Sequence, residues 1–123
     1  MLKFKFLLWA ITKLLQRAAS RNPACARYIQ GKALEFQIQT AGGVGRHFRI
    51  ADGKVSSTAR LTPGASFTMT FRSADAGYAV LSSKEGTDAF LSALRDEDLV
   101  ISGDFVQVLW FQGLTAFLQP GKA

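Results

Sequence analysis

Apolar residues recur at helical spacing in the first twenty positions of the chain. The apolar positions of this pattern, with lysine and arginine between them, are Phe4, Leu7, Leu8, Ile11, Leu14, Leu15 and Ala18. This spacing is typical of an amphipathic helix whose apolar stripe packs on a core. Asn22 then predicts a second helix start, because asparagine caps helices and Pro23 suits the first helical turn. We expect this short helix to end near Gly31.

The period changes to two from residue 33 onwards, which predicts strands. Four alternating segments follow, and Asp52-Gly53 is a hairpin signal between the second and the third. The residues that share one face are Leu34, Phe36 and Ile38, then Phe48 and Ile50, then Val55, Ser57 and Ala59, then Phe67, Met69 and Phe71. Short turns between the segments predict an antiparallel meander with one apolar face and one face open to solvent.

The next part of the chain predicts two short helices and a fifth strand. Ser73 can cap a helix that ends near Ser82, and a further helix begins at Thr87. Residues 99–102, LVIS, form the fifth strand. The predicted fold class is α+β: a five-stranded, largely antiparallel sheet with helices packed on one face.

The last predicted helix is apolar on more sides than a surface helix requires. Asp104 caps it, and Pro120 and Gly121 are expected to end it near Leu118. A surface helix needs an apolar stripe about 100° wide, and this helix exceeds it. We therefore expect it to be covered on more than one side. A buried core helix, a dimer contact and a wall around an apolar ligand all satisfy this pattern.

The positive charge of the chain is concentrated at its N-terminal end. The net charge is +6, yet residues 1–34 contain no acidic residue at all. We divide the chain into a basic amphipathic helix at residues 1–21 and a domain at residues 22–119. The helix predicts peripheral contact with an anionic membrane, and we expect a cytoplasmic protein at the periphery of the inner membrane. Its apolar runs are too short for a spanning helix, and no clear signal-peptide cleavage site follows.

Residues that could carry catalysis are scarce. The single histidine, His47, is predicted to point outward from a strand, and the single cysteine, Cys25, is expected to be a small core residue. One histidine and one cysteine do not form a metal-ligand cluster. The glycines at residues 42–45 lack the lysine and the strand-to-helix context of a phosphate loop. The sequence predicts neither an enzyme nor a metal or cofactor site.

Four segments together resemble the sterol carrier protein 2 family of lipid-binding domains. They are the hairpin FRIADGKV, the strand and helix ASFTMTFRSADAGYAVLSSKEG, the helix TDAFLSAL and the C-terminal segment DLVISGDFVQVLWFQGLTAFL. The resemblance covers about residues 23–118. Within the family the chain is most similar to the N-terminal domains of bacterial ubiquinone-biosynthesis accessory factors, through its leading helix, the segment NPACARYIQGKALEFQI and the SGD cap.

The resemblance implies an apolar tunnel that encloses a lipid, with no catalysis and no cofactor. The matching wall positions are Phe67, Met69 and Phe71 on the fourth strand, Phe90, Leu91 and Leu94 on the penultimate helix, and Leu109, Trp110, Leu114, Phe117 and Leu118 on the last. The implied function is carrying of an apolar lipid, such as a polyprenyl-quinone intermediate, by an accessory factor in ubiquinone biosynthesis.

An alternative function stays open from the residues alone. The surplus apolar helix surface could instead serve a protein-interaction or dimerisation module. Nucleic acid is not an expected partner, because helical spacing places most N-terminal aromatic residues on one buried side, away from any platform for base stacking.

Overall fold

The computed structural model describes residues 2–118, which form five α-helices, a short 3-10 turn and one five-stranded sheet. The helices are α1 Leu2–Arg21, α2 Pro23–Ile29, α3 Ala74–Leu81, α4 Thr87–Arg95 and α5 Phe105–Thr115, and the 3-10 turn is Ala116–Leu118. The strands are β1 Leu34–Thr40, β2 Gly45–Ala51, β3 Lys54–Thr58, β4 Phe67–Phe71 and β5 Leu99–Gly103. The predicted α+β class is confirmed. The predicted helix stop at residues 120–121 and the predicted domain end at residue 119 lie outside the described residues.

The order of strands in the sheet is β3-β2-β1-β4-β5, with β1 and β4 parallel and the other pairs antiparallel. The predicted four-stranded meander is therefore wrong at its last step. β4 does not pair with β3; it crosses to the far side of β1, where Phe67 pairs in register with Phe36. Residues 59–66 make this crossing. A parallel pair needs a long connection, and β2, β3 and this loop together supply it.

Aromatic side chains form the centre of the core. Phe48, Phe36 and Phe67 stand side by side on β2, β1 and β4, and adjacent ring centroids are 5.0 Å apart with nearly parallel planes. Phe111 of α5 lies over them, 4.6 Å from the ring of Phe36. All four rings are buried. The strand order thus places three phenylalanines from different strands in one row beneath α5.

Helix α1 packs on the same core. Phe4, Leu8 and Leu15 on its inner side are fully buried. Two polar contacts also fix it to β3: the Gln16 amide donates to the Val55 carbonyl at 2.9 Å, and the Thr12 and Ser57 hydroxyl oxygens are 2.8 Å apart. The predicted boundary after residue 21 therefore falls between α1 and α2. Helix α1 itself contributes side chains to the core that lies against the sheet.

The opposite face of the sheet is partly covered, and His47 is not exposed as the alternation predicted. The residue as a whole is only 9 % exposed. Nε2 lies 2.8 Å from the Glu35 carboxylate, and Nδ1 lies 3.0 Å from the Gln37 side-chain oxygen. That oxygen also accepts from the Thr62 backbone N–H at 2.5 Å. The crossing loop, residues 59–66, lies over this face. It therefore buries His47, which the alternation predicts to face solvent.

Candidate lipid-binding site

The predicted wall residues fall into three groups by exposure. Phe67, Met69, Phe71, Phe90 and Leu114 are buried; Leu94, Trp110, Phe117 and Leu118 are half-buried; Leu91 and Leu109 are each 53 % exposed. The first two groups belong to one apolar core or pack against it. Leu91 and Leu109 lie on the outer surface. The structure therefore brings most of the predicted positions together beneath the helices and leaves two outside.

Helix α5 begins where the sequence predicted, at a turn that only glycine accommodates well. Gly103 ends β5 with a φ of +101°, and a Cβ there would lie 2.4 Å from the Ser66 carbonyl oxygen. The Asp104 carboxylate then accepts from the Val106 backbone N–H at 3.0 Å and caps the helix. The Ser-Gly-Asp sequence thus turns the chain from the edge strand directly onto the apolar face of the sheet.

Helix α2 holds one flank of α5. The Tyr28 hydroxyl donates to the Trp110 carbonyl oxygen at 2.6 Å, and the two rings stack with centroids 5.0 Å apart. Burial raises the pKa of the Tyr28 hydroxyl, so this side chain stays protonated and remains a donor. Lys32 adds a second tie, since its ammonium lies 4.6 Å from the Trp110 ring centroid and donates to the Gln107 side chain at 2.5 Å.

The side of α5 that faces away from the sheet is apolar and exposed. Phe105, Val106 and Leu109 form this surface, which we call the α5 outer face. Val108, Phe111 and Leu114 occupy the buried side. The sheet and α2 thus cover α5 on two sides, as expected, whereas the outer face meets solvent within residues 2–118.

Helix α1 also exposes apolar residues, but among cations. Leu2, Phe6, Trp9 and Leu14 are exposed, and we call this surface the basic apolar face of α1. The rings of Phe6 and Trp9 are in contact, with centroids 5.7 Å apart, and the Lys13 ammonium lies 5.8 Å from the Trp9 ring. The helix contains no acidic residue. Apolar rings flanked by lysines are typical of helices that lie at a membrane surface.

A groove lies where the C-terminal half of α1 meets the 3-10 turn. Its cavity volume is about 270 Å³, and we call it the α1 groove. Its lining residues are Leu14, Arg17, Ala18, Arg21, Asn22, Phe117 and Leu118. Only the last two were predicted as site residues. In the sequence the arginines belong to the basic N-terminal segment, and their spacing of four places them on one side of a helix.

A second depression, of about 390 Å³, lies between the β2–β3 hairpin and the loop after α2. Its lining residues are Ala26, Gln30, Gly31, Lys32, Ala33, Ala51, Asp52 and Gly53. It contains none of the predicted wall positions.

The described part of the chain contains a buried cysteine and lacks a set of metal ligands. Burial raises the pKa of the Cys25 thiol, which keeps it protonated and unreactive at neutral pH. Residues 2–118 contain no group of three histidine, cysteine or acidic side chains placed to hold a metal ion. Among the same residues, every helix falls short of the length and hydrophobicity needed to cross a bilayer.

No protein-family model matches the chain, and no curated protein sequence matches it. Solved structures do. The UbiJ-SCP2 ubiquinone synthesis protein superposes with a TM-score of 0.67 at 18 % identity, over 93 % of this chain and 96 % of that one. Sterol carrier protein 2 like 2 from Aedes aegypti superposes with a TM-score of 0.54 at 16 % identity, over 89 % and 96 % of the two chains.

The apo form of sterol carrier protein 2 from Yarrowia lipolytica superposes with a TM-score of 0.51 at 16 % identity, over 80 % of this chain and 88 % of that one. At such low identities the agreement concerns the path of the backbone. It extends over 80 to 93 % of this chain. The chain therefore has the fold of sterol carrier protein 2.

Proposed function

We propose that the protein binds and carries an apolar lipid without catalysing a reaction on it. The observation that carries this proposal is the likeness of the fold, over 80 to 93 % of the chain, to two sterol carrier proteins and to the UbiJ-SCP2 ubiquinone synthesis protein. The helices of this fold cover one sheet face, and the side chains between the two layers are apolar. Burial of a lipid chain among them would supply binding free energy of about 25 cal/mol per Å².

The lipid chain is proposed to lie between α5 and the sheet, against the predicted wall residues. Phe111 now occupies this position, in contact with Phe36 and 6.1 Å from the ring centroid of Phe67. Binding therefore requires α5 to move away from the sheet. The helix is suited to this movement, since no described residue packs on its outer face and few hydrogen bonds hold its flank to the segment around α2. Leu91 and Leu109 would contact the lipid only at the rim.

The finer proposal is that the lipid is a polyprenyl-quinone intermediate and that the protein is an accessory factor in ubiquinone biosynthesis. Support comes from the UbiJ-SCP2 structure, whose name refers to ubiquinone synthesis. An all-hydrocarbon tail also suits a site in which apolar side chains predominate. Such a ligand needs few polar contacts, because apolar burial alone can supply most of the affinity.

The test is extraction of the purified protein with organic solvent and mass spectrometry of the extract, followed by titration of stripped protein with a fluorescent fatty acid. We expect a bound lipid and saturable binding, with competition by a short-tailed ubiquinone. The two tryptophans supply matched variants. Trp110→Ala, at the proposed wall, is expected to weaken binding about tenfold, whereas Trp9→Ala, on the far side of α1, leaves it unchanged. Absence of both extracted lipid and saturable binding would contradict the proposal.

We also propose that the basic apolar face of α1 contacts an anionic membrane, where lipid is loaded or released. The Lys13 ammonium accompanies the exposed Trp9 ring, while the opposite side of the helix is fixed to the core. Each lysine near an anionic surface contributes about 1 kcal/mol, which is about fivefold in affinity. This contribution weakens as salt screens the charges.

Sedimentation with vesicles measures this contact. We expect binding to phosphatidylglycerol vesicles at low salt and little binding to phosphatidylcholine vesicles. The triple variant Lys3→Gln/Lys5→Gln/Lys13→Gln is expected to lose most of the binding, and Arg27→Gln, on α2, to retain it. Equal binding to both vesicle types would show that charge is not the basis of the contact.

A further inference from the structure

We infer that the doubly protonated ring of His47 holds the crossing loop, residues 59–66, against the sheet, and that loss of one proton releases the loop. His47 lies on the sheet face opposite to the helices, since its neighbour Phe48 belongs to the core beneath them. The inference therefore goes beyond lipid binding and does not depend on it. Histidine is the side chain whose charge ordinarily changes between about pH 5 and pH 8.

The backbone of Thr62 fixes which end of the Gln37 amide faces the ring. A backbone N–H can only donate, and that of Thr62 donates at 2.5 Å to the Gln37 Oε1 atom. The Nδ1 atom of His47 lies 3.0 Å from the same oxygen. Because an amide oxygen only accepts, Nδ1 carries a proton in this arrangement. The loop backbone and the imidazole ring thus share one acceptor.

The second nitrogen of the ring also faces an acceptor. Nε2 of His47 lies 2.8 Å from a carboxylate oxygen of Glu35, and this is the ion pair of His47 within residues 2–118. A nearby carboxylate favours the protonated form of its partner. The imidazolium, in which both nitrogens donate, is therefore the form that satisfies both oxygens.

Three cations lie on the elements around the ring. Arg49 follows His47 on the same face of β2, Lys54 lies on β3, and Arg60 lies in the crossing loop. Within the described residues, none of the three forms an ion pair with Glu35. Their charge disfavours the imidazolium and that of Glu35 favours it, so the balance sets the pH at which the ring loses a proton.

Loss of one proton changes the contact at the Gln37 oxygen. Glu35 keeps the proton on Nε2, so Nδ1 presents a lone pair to that oxygen. The amide then turns its NH₂ group towards the ring, and the Thr62 N–H loses its acceptor. The Thr62 hydroxyl, 3.2 Å from Nδ1, can donate to the neutral ring but does not replace the backbone bond. An N–H without a partner in the protein requires water, which the loop reaches by moving away from the sheet.

The middle of the loop depends on Thr62 for its hydrogen bonds to the sheet. Within the described residues, the other such bond of residues 59–65 is local, between the Thr58 hydroxyl and the carbonyl two residues later. The last loop residue is held separately, because the Ser66 N–H donates to the Glu35 carbonyl at 2.7 Å and the Ser66 carbonyl accepts from the start of α5 at 2.8 Å. Release therefore frees the middle of the loop and leaves its end in place.

Nuclear magnetic resonance on the full, isotope-labelled chain tests this contact. The single histidine gives one imidazole signal, which is followed from about pH 5 to about pH 9 together with the hydrogen-exchange protection of the Thr62 amide. We expect both ring nitrogens to be protonated at the acidic end. The protection factor of Thr62 should fall about tenfold as the ring loses its proton, with the same midpoint. The Ser66 amide should keep its protection throughout.

A pair of carboxylate variants separates the contact from a general effect of charge. Glu35→Gln removes the group that favours the imidazolium and is expected to lower the midpoint of the ring and that of Thr62 protection together. Glu97→Gln removes an exposed carboxylate before β5, at the opposite edge of the sheet from β3, and should move neither midpoint. His47→Gln should make the protection of Thr62 independent of pH.

Four results would overturn the inference. They are a ring that does not titrate in this range, a Thr62 amide whose protection does not follow the ring, midpoints that move apart in Glu35→Gln, and a midpoint that moves equally in Glu97→Gln. Loss of protection at Ser66 together with Thr62 would also contradict it, because the change would then be an opening of the sheet and not a release of the loop.

Discussion

Helices α1 and α5 both cover the apolar face of the sheet, yet their outward sides differ in composition. The outward side of α1 mixes apolar residues with cations, whereas α5 and the 3-10 turn contain no charged residue from Phe105 to Leu118. The buried stripe of α1 could be predicted because lysine and arginine mark the side that faces water. In α5 no charge marks that side, and the tertiary contacts alone decide which residues are buried.

The largest expected effects come from the two phenylalanines that anchor these helices. Phe4→Ala on α1 and Phe111→Ala on α5 each remove a buried ring and are expected to lower the free energy of unfolding by about 3–5 kcal/mol, measured by urea denaturation. The two variants should differ when lipid is added. A fatty acid should restore part of the stability of Phe111→Ala, since the proposed tail occupies the same space, but not that of Phe4→Ala.

Phe105→Ala provides the control, because this ring is on α5 but exposed, and its loss should change the free energy of unfolding by less than about 0.5 kcal/mol. Equal recovery of Phe4→Ala and Phe111→Ala by lipid would show that the tail does not lie beneath α5.

Most of the fold could be predicted from the sequence because its local signals are strong. The caps at Asn22, Ser73 and Asp104 are each confirmed by a side-chain hydrogen bond to the backbone. The position of β4 could not be predicted. Alternation shows that Phe67–Phe71 is a strand with one buried face, but it does not show which strand is its neighbour. The pairing with β1 depends on contacts between residues far apart in sequence.

The candidate site could be predicted only in part, and the reason is again non-local. The inward positions on β4 follow from alternation, which suffices to predict that Phe67, Met69 and Phe71 are buried. Leu91 and Leu109 were assigned by resemblance on helices whose orientation depends on the neighbouring elements. The α1 groove needs the 3-10 turn to reach the end of α1, and no pattern within either segment predicts that meeting.

Smaller effects are expected from glycines at the contacts of the two helices. A Cβ at Gly77 would lie 2.5 Å from a ring carbon of Phe4, and one at Gly113 would lie 2.3 Å from the Tyr28 hydroxyl oxygen. Gly77→Ala and Gly113→Ala are each expected to lower the free energy of unfolding by about 1–3 kcal/mol, because the packed neighbours must shift. Thermal and urea denaturation measure the loss.

The contact between Gly113 and Tyr28 can be tested with a double variant. Tyr28→Phe removes the oxygen that a Cβ at Gly113 would meet, so the double variant should be more stable than the sum of the two single losses predicts. If the two losses of unfolding free energy are instead strictly additive, α5 already shifts away from α2 in Gly113→Ala. This result would mean that α5 is held less firmly than α1 in the absence of lipid.

Tyr28→Phe alone is expected to cost about 1 kcal/mol, since it removes the hydrogen bond to the Trp110 carbonyl. It should also change the alkaline stability. Burial raises the pKa of Tyr28 in the folded state, so the unfolded chain loses this proton first as the pH rises. The stabilising effect is complete below the pKa of the unfolded tyrosine and is lost as the pH rises through the alkaline range.

The variant should therefore show a shallower decline of stability at alkaline pH than the wild-type protein does. Cys25, whose pKa is also raised by burial, contributes in the same direction in both proteins. An unchanged alkaline slope in Tyr28→Phe would show that this hydroxyl is not protected by its place between α2 and α5.

The smallest effects on stability are expected on the outward sides, where the two helices should differ most in function. Phe6→Ser and Leu109→Ser each replace an exposed apolar residue and should change the free energy of unfolding by no more than about 0.5 kcal/mol. Phe6→Ser is nevertheless expected to weaken sedimentation with anionic vesicles roughly tenfold, because burial of a phenylalanine side chain contributes about 1.5–3 kcal/mol. Leu109→Ser should leave vesicle binding unchanged, since α5 itself contains no cation from Phe105 to Thr115. If Leu109→Ser instead converts a concentration-dependent dimer into a monomer in sedimentation velocity, α5 serves association between copies, and the interaction module replaces the lipid carrier as the better explanation of its apolar surface.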